Sequence, residues 1–256
     1  MIGELVHEDT LIRQGVLSFV GVDEVGRGAW AGPVVAGAAI LNPDVYANRS
    51  LLSAVDDSKR LTPARREQLA LQIARLASVA LGWVDPSSID TLGIAQATHL
   101  AMRAAIGALS APSADAMTCG EGWFGRRVSG HRVSPTFILV DGYRIGGTVL
   151  PQQAIVRGDL SCLCIAAASI VAKVARDRFM TEIADRYPAF KFADNKGYGT
   201  RAHFRAIRAN GLTPLHRRSF QPMKHMVGRN DWIAGLLAPP VDGREQIPRT
   251  VQLDFL

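Results

Sequence analysis

The chain has 256 residues, 48% of them hydrophobic, enough to bury one core of ordinary to large size, with a single domain as the default. Lys and Arg number 29 against 23 Asp and Glu, and this net charge of +6 favours a polyanionic partner over an acidic protein or a neutral metabolite. Met1 to Gln14 contains acids and no signal-type apolar core, Gly, Pro or a charge breaks every long apolar stretch, and the three cysteines lack zinc-site spacing; the expectation is a soluble cytoplasmic protein with reduced thiols and no membrane span.

Leu17, Phe19, Val20 and Val22 form an apolar, β-prone run, which predicts a buried strand ending at Asp23 and Glu24. Two carboxylates about 4 Å apart repel by roughly 1 kcal/mol in water and roughly 4 kcal/mol at a partly buried site. They are either the solvated edge of a sheet or a pair that a cation neutralises. Gly26-Arg27-Gly28 follows, two residues without Cβ around one guanidinium, a turn that lets backbone amides approach a phosphate-bearing ligand. Val34 to Leu41 is apolar on both faces, as a central strand paired with the first would be.

Asp56 to Leu61 lies in a loop whose Lys59 is either a solvated lysine or a phosphate contact, and Thr62-Pro63 caps a helix running to about Ala77. Val79 to Val84 predicts a third strand, Ser87 to Thr91 a helical turn, and Ile94 to Leu109 a helix with its apolar residues near helical spacing. Ser110 to Ser134 has no clear periodicity and reads as an excursion or a partly disordered stretch; its Arg126, Arg127, His131 and Arg132 could touch nucleic acid.

Thr136 to Val140 is the clearest strand, and it runs into Asp141-Gly142. Ligands collect at such strand ends in α/β sheets, and neighbouring strands can bring Asp141 to Asp23. After a short strand at Ala154 to Val156, Gly158-Asp159 opens a long helix, Ser161 to Tyr187, where Asp159 also reads as an ordinary cap. Lys173 and Arg176 are candidate substrate contacts, although Lys173 with Asp177 also forms a plain i,i+4 pair. Tyr198, between two glycines in a basic loop, is expected to expose its ring for stacking on a base or sugar. A helix at Arg201 to Ala209 and the run His216-Arg217-Arg218-Ser219-Phe220 extend a basic face, and no acid occurs from Lys196 to Arg229.

Taken together, Gly21-Val-Asp-Glu-Val-Gly-Arg-Gly28, Asp57-Ser58-Lys59, Val140-Asp141-Gly142, Gly158-Asp159, Ala166 to Lys173 with Arg176-Asp177, Lys196-Gly-Tyr-Gly-Thr200 and His216 to Phe220 resemble, in order, the type 2 ribonuclease H (ribonuclease HII) family. Ala29 departs from that pattern where Pro is usual, and Asn195 where many members have His. The resemblance implies an α/β, RNase H-like fold: a central mixed β-sheet flanked by helices, with a helical C-terminal part. It implies a catalytic domain over 1–229, including the basic helical part at about 188–229, and a separate tail over 230–256. It also implies an endoribonuclease that cuts RNA in RNA–DNA hybrids and incises 5′ to ribonucleotides embedded in duplex DNA, leaving 3′-hydroxyl and 5′-phosphate ends, in ribonucleotide and primer removal.

By the same likeness, Asp23, Glu24, Asp141 and Asp159 hold two Mg²⁺ or Mn²⁺ ions and form the catalytic set. Gly26, Arg27 and Gly28 recognise the ribonucleotide, Tyr198 packs on the next deoxyribose, and Lys59, Lys173 and Arg176 contact phosphate or support the site. The chain's end, Gln252-Leu253-Asp254-Phe255-Leu256, looks like the peptides by which bacterial repair enzymes dock on the sliding clamp; Phe255 and Leu256 could instead pack on the protein's own surface. A monomer is expected. Two other readings of the sequence are a DNA nuclease of the same fold and a non-catalytic hybrid-binding module.

Overall fold

A computed structural model describes residues 6–52, 54–55, 62–112, 118–120 and 122–227. Seven strands form one sheet: β1 (Phe19–Val25), β2 (Val34–Leu41), β3 (Ala77–Val84), β4 (Thr118–Gly120), β5 (Trp123–Ser129), β6 (Phe137–Asp141) and β7 (Gln152–Ile155). Their order is β4-β5-β3-β2-β1-β6-β7. β1, β2, β3, β5 and β4 run antiparallel to their neighbours, while β6 joins β1, and β7 joins β6, in parallel. The helices are α1 (Val6–Arg13), α2 (Pro43–Ala47), α3 (Pro63–Leu76), α4 (Pro86–Leu92), α5 (Ile94–Leu109), α6 (Gly158–Ser161), α7 (Leu163–Glu182), α8 (Phe192–Asn195), α9 (Arg201–Asn210) and α10 (Met223–Val227). Among the described residues, none of them is long and apolar enough to cross a membrane.

The sheet is covered on both faces, and strand periodicity sorts the side chains between two cores. Phe19 of β1, Val35, Ala39 and Leu41 of β2, and Leu139 of β6 pack on the face carrying α7. Val20 and Val22, Val34, Ala36, Ala38 and Ile40, and Ile138 and Val140 pack on the face carrying α5. Successive residues of a strand point to opposite faces. Asp23 therefore continues the Phe19 row and Asp141 the Leu139 row, both toward α7, whereas Glu24 continues the Val20 row toward α5.

Expectation and structure agree for β2 and α5 residue by residue. β1 is longer than expected: its pairing with β2 extends to Val25↔Val35, so Asp23 and Glu24 lie inside a paired strand rather than at its end. The segment Ser110 to Ser134 is corrected in part. Trp123–Ser129 is a strand whose register with β3 includes Trp83↔Phe124, and the Trp83 and Phe124 rings stack at 5.9 Å. Arg127, expected at a nucleic-acid surface, is buried there. The expected helix from Ser161 to Tyr187 is divided: extended Cys162 separates α6 from α7, and 3₁₀ turns replace the α-helix from Ile183 to Arg186.

Candidate active site

The acids are positioned by strand register. β1 and β6 pair in parallel up to Val22↔Val140, so Asp23 and Asp141 come next on adjacent strands and share the α7 face. Neighbouring strands lie about 4.8 Å apart, which makes the two carboxylates neighbours. One Asp141 oxygen, Oδ1, accepts the Gly158 amide at 2.6 Å, tying the end of β6 to the turn that carries Asp159. Asp159 is the second residue of α6 and is buried. Asp23 receives the backbone amide of Glu24 on Oδ1 at 2.7 Å and a hydrogen bond from Ser169 of α7. Sequence reasoning recorded Ser169 only as one of several small helix residues; its link to Asp23 depends on the packing of α7 across β1.

Burial, and then the negative charges of Glu24 and Asp141, push the Asp23 carboxyl up from 3.8 to about 8, against the opposing pull of Ser169 and the Glu24 amide. The folded protein thus holds a proton on Asp23 over a window where the unfolded chain has released it. Below about pH 4 Asp23 is protonated in both states and costs nothing; as pH rises toward about 8 stability falls, by at most about 1.4 kcal/mol per pH unit. In the presence of EDTA, Asp23→Asn is expected to raise the melting temperature increasingly across that window and to level off above it. A difference in melting temperature that is constant with pH would contradict the assignment of this charge to Asp23.

Oxygen-only donors carrying concentrated negative charge suit hard divalent cations, and the raised Asp23 marks the repulsion that such an ion would relieve. The four acids are not closed into a ready-made cage. Among the described residues, no three His, Cys, Asp or Glu side chains converge as they would around an ion. Glu24, on the α5 face, stands 3.7 Å from Arg27 Nη1.

Next to the acids, residues 26–33 form a loop held from below. Arg176 of α7 is fully buried; its Nε donates to the Pro33 carbonyl at 2.9 Å, Nη1 to Lys196 at 2.9 Å and Nη2 to Ala31 at 3.1 Å. Gly26 has φ +84°, and a Cβ there would collide with the Arg176 guanidinium, so glycine is required on both counts. Arg217 is also fully buried, with Nε bonded to the Gly32 carbonyl and Nη1 to that of Arg27. These contacts correct two expectations. Arg176 does not reach phosphate, because its three nitrogens are engaged inside the protein, and His216 and Arg217 belong to the interior rather than to a basic face. Arg218 is exposed.

Arg27 extends from the loop over the ring of Tyr143, 4.8 Å from its centroid, and Tyr143 stacks in turn on His99 at 6.5 Å. Tyr143, two residues after Asp141 and 41% exposed, went unnoticed in the sequence although that spacing was visible there. Gly28 has open space where a Cβ would lie. Tyr198 is half-buried, with the Arg176 guanidinium 5.5 Å and the Lys173 ammonium 5.9 Å from its ring centre. Lys173 donates to Asp177 Oδ1 at 2.6 Å, and Arg66 joins the same carboxylate at 3.3 Å.

The Tyr198 backbone is fixed by two histidines. The Thr213 amide donates to His216 Nδ1 at 2.9 Å, which leaves the proton on His216 Nε2 to donate to His203 Nε2 at 3.1 Å. His203 Nδ1 then donates to the Tyr198 carbonyl at 2.9 Å. The relay requires both rings neutral. Burial first, and then the neighbouring imidazole, push His216 down to about 3, and burial lowers His203 as well. Asn195 adds a clamp, donating to the Phe190 carbonyl and accepting the Gly197 amide, both at 2.8 Å. The structure thus brings Asp23, Asp141 and the Asp159 turn together beside Arg27, Gly28 and Tyr198. Lys59 and the segment Gln252, Leu253, Phe255 and Leu256 lie outside the described residues.

A family model described as Ribonuclease HII matches residues 20–118 and 123–223. The ribonuclease HII of Chloroflexus aggregans is 45% identical over 231 residues, which cover 89% of this chain and 98% of that protein. Among solved structures, a chain of the PCNA:RNase HII complex from Archaeoglobus fulgidus superposes with a TM-score of 0.60 at 23% identity, covering 80% of this chain and 96% of that one. Bst-RNase HIII in complex with Mn²⁺ superposes with a TM-score of 0.57 at 20% identity, over 83% and 70% of the two chains. At these identities the two structural likenesses speak for the fold.

Proposed function

The chain belongs to the ribonuclease HII family and is a ribonuclease H with the fold of that group, and from this premise we propose that it incises duplex DNA on the 5′ side of embedded ribonucleotides as well as cutting RNA in RNA–DNA hybrids. The ends left are a 3′-hydroxyl and a 5′-phosphate. The observation that carries the reading is the register of β1 on β6, which sets Asp23 beside Asp141 on one face, with the Asp159 turn bonded to Asp141 and Arg27 and Tyr198 close by. Asp23, Glu24, Asp141 and Asp159 would hold two divalent cations, Mg²⁺ or Mn²⁺; the relative crystallised with Mn²⁺ shares the fold. Such ions, when bound, activate water and neutralise charge on the departing oxygen.

The chain's own residues supply position. Ser169 orients the Asp23 carboxylate, and the Gly158 amide fixes that of Asp141. Arg27, steadied by Glu24 and the Tyr143 ring, and Gly28, open to solvent, form a surface on which a 2′-hydroxyl can be tested by close backbone approach. Tyr198, with its backbone held by His203, offers a ring edge to the sugar that follows. Phosphate contacts around them would orient the duplex without reading its sequence.

A labelled DNA duplex with one ribonucleotide, beside an all-DNA duplex of the same sequence, tests the reading in Mg²⁺, Mn²⁺ and EDTA. One cut 5′ to the ribonucleotide, absent from the control and from EDTA, is expected. Cutting of the all-DNA duplex would overturn the substrate assignment, and binding without cutting would overturn the catalytic one.

Residues 1–229 would form the catalytic unit, and residues 252–256 would dock on a sliding clamp. The chain from Archaeoglobus fulgidus that shares the fold comes from a complex with PCNA. Removal of the last five residues is expected to abolish clamp binding in a pull-down while hydrolysis of a short duplex persists. Retained clamp binding would exclude the segment.

A further inference from the structure

Beyond Tyr198, the loop over the acids continues into a second feature. A cavity of about 300 Å³ is lined by Trp30, Gly199, Thr200, Arg201, Phe204 and Arg205. Two elements build it, the 26–33 loop through Trp30 and the first turns of α9 through the rest. Trp30 is anchored by its backbone, its amide donating to the Gly197 carbonyl and its carbonyl accepting the Arg217 amide, both at 2.8 Å. Its ring meets Phe204 edge-on at 6.4 Å and His203 at 5.7 Å, and it lies so close over Gly199 that a Cβ there would overlap the indole. The aromatic wall is therefore fixed in place before any ligand arrives.

The opposite side is cationic. Arg201 and Arg205, one helical turn apart, are both exposed, and neither forms an ion pair with an acid among the described residues. The α9 sequence contains no acid at all. The Thr200 hydroxyl caps the His203 amide, leaving the amides of Arg201 and Ala202 without acceptors in the helix. Two guanidinium groups, two free amides and the positive end of a ten-residue helix thus face one wall of aromatic carbon. An aliphatic or neutral ligand would leave the arginines unused, and a protein anion would not need the flat wall. A sugar-phosphate unit uses both, the phosphate on the arginines and amides and the sugar or base face on Trp30.

We propose that this cavity holds a phosphodiester of the cleaved strand on its DNA side, one or two nucleotides 3′ of the sugar that meets Tyr198. The inference rests on the reading of Tyr198 above. Gly199 joins the two sites directly, so the strand passes from the Tyr198 ring to the Trp30 ring along one stretch of backbone. The cavity lengthens the footprint on the deoxy side of the junction and supplies affinity there in addition to the chemistry at the acids.

The test compares the wild type with Arg201→Gln/Arg205→Gln and with Trp30→Leu. Equilibrium binding is measured in EDTA on two duplexes, one ending at the deoxynucleotide after the ribonucleotide and one extending about ten pairs further. The ratio of long- to short-duplex affinity is expected to fall about tenfold in the double arginine variant. The slope of log Kd against log salt on the long duplex is expected to decrease by nearly two, since each phosphate contact contributes about 0.9. Trp30→Leu should lower the ratio by about threefold or more without changing the slope. An unchanged ratio and slope in the arginine variant would overturn the proposal, as would an equal loss on both duplexes. Because the readout is binding, the outcome is separate from the incision assay, and failure of incision would leave this measurement interpretable.

Discussion

Asp141→Asn is expected to reduce incision at a single ribonucleotide by on the order of a thousandfold or more, with duplex affinity in EDTA within about threefold of the wild type. The substitution is nearly isosteric, and the amide oxygen can still accept the Gly158 amide if it takes the position of Oδ1. The fold around β6 and α6 is thus retained while the charge is lost. That charge acts twice: it contributes to raising the Asp23 carboxyl, and it is one of the oxygens that would hold a cation. A loss of only a few-fold in kcat would remove Asp141 from the catalytic set and return it to a structural role as the cap of the Gly158 turn. Melting curves of the variant in EDTA separate the two outcomes, because relief of repulsion at Asp23 predicts equal or greater stability.

Arg176→Met is expected to destabilise the protein by about 3–5 kcal/mol and to weaken both substrate binding and turnover. Each nitrogen of the buried guanidinium serves a different carbonyl, Pro33, Lys196 or Ala31, so one side chain joins α7 to the recognition loop and to the loop that carries Tyr198. Methionine fills similar volume but leaves three buried carbonyls without donors. Arg176→Lys is expected to recover little, since an ammonium cannot present the planar fork that reaches all three. The alternative, a phosphate contact, predicts a different result: an unchanged melting temperature and a salt slope smaller by about one. Chemical denaturation beside a salt titration distinguishes them.

These two residues show how far the sequence reaches. Asp141 was legible because a strand of Thr-Phe-Ile-Leu-Val ends at an acid, and strand ends are where α/β sheets gather ligands. Asp23 was legible for the same reason, although its strand extends two residues further than the apolar run suggests, since pairing with β2 carries β1 through both acids. Arg176 was read as a surface contact because a polar run in a helix gives no sign of what the helix packs against. Its burial follows from the 26–33 loop folding over α7, a contact between residues some 143 positions apart.

By itself, then, the sequence determined the local elements whose periodicity is strong, the β1–β2 pair, α5 and β6, and the identity of the acids and glycines whose types are dictated by charge or backbone. Tertiary structure alone decided the rest. Strand register put Asp23 and Asp141 on the α7 face and Glu24 on the other, which no count of residues along the chain could assign. Packing turned Arg176, Arg217, His203 and His216 inward as struts of the recognition loops. Residues far apart in the chain also assembled the Trp30 cavity beside Tyr198. The physical reason is the same in each case: propensity and hydrophobic period act within a few residues, whereas the environment of a polar side chain is set by whichever backbone carbonyls and rings the fold brings to it.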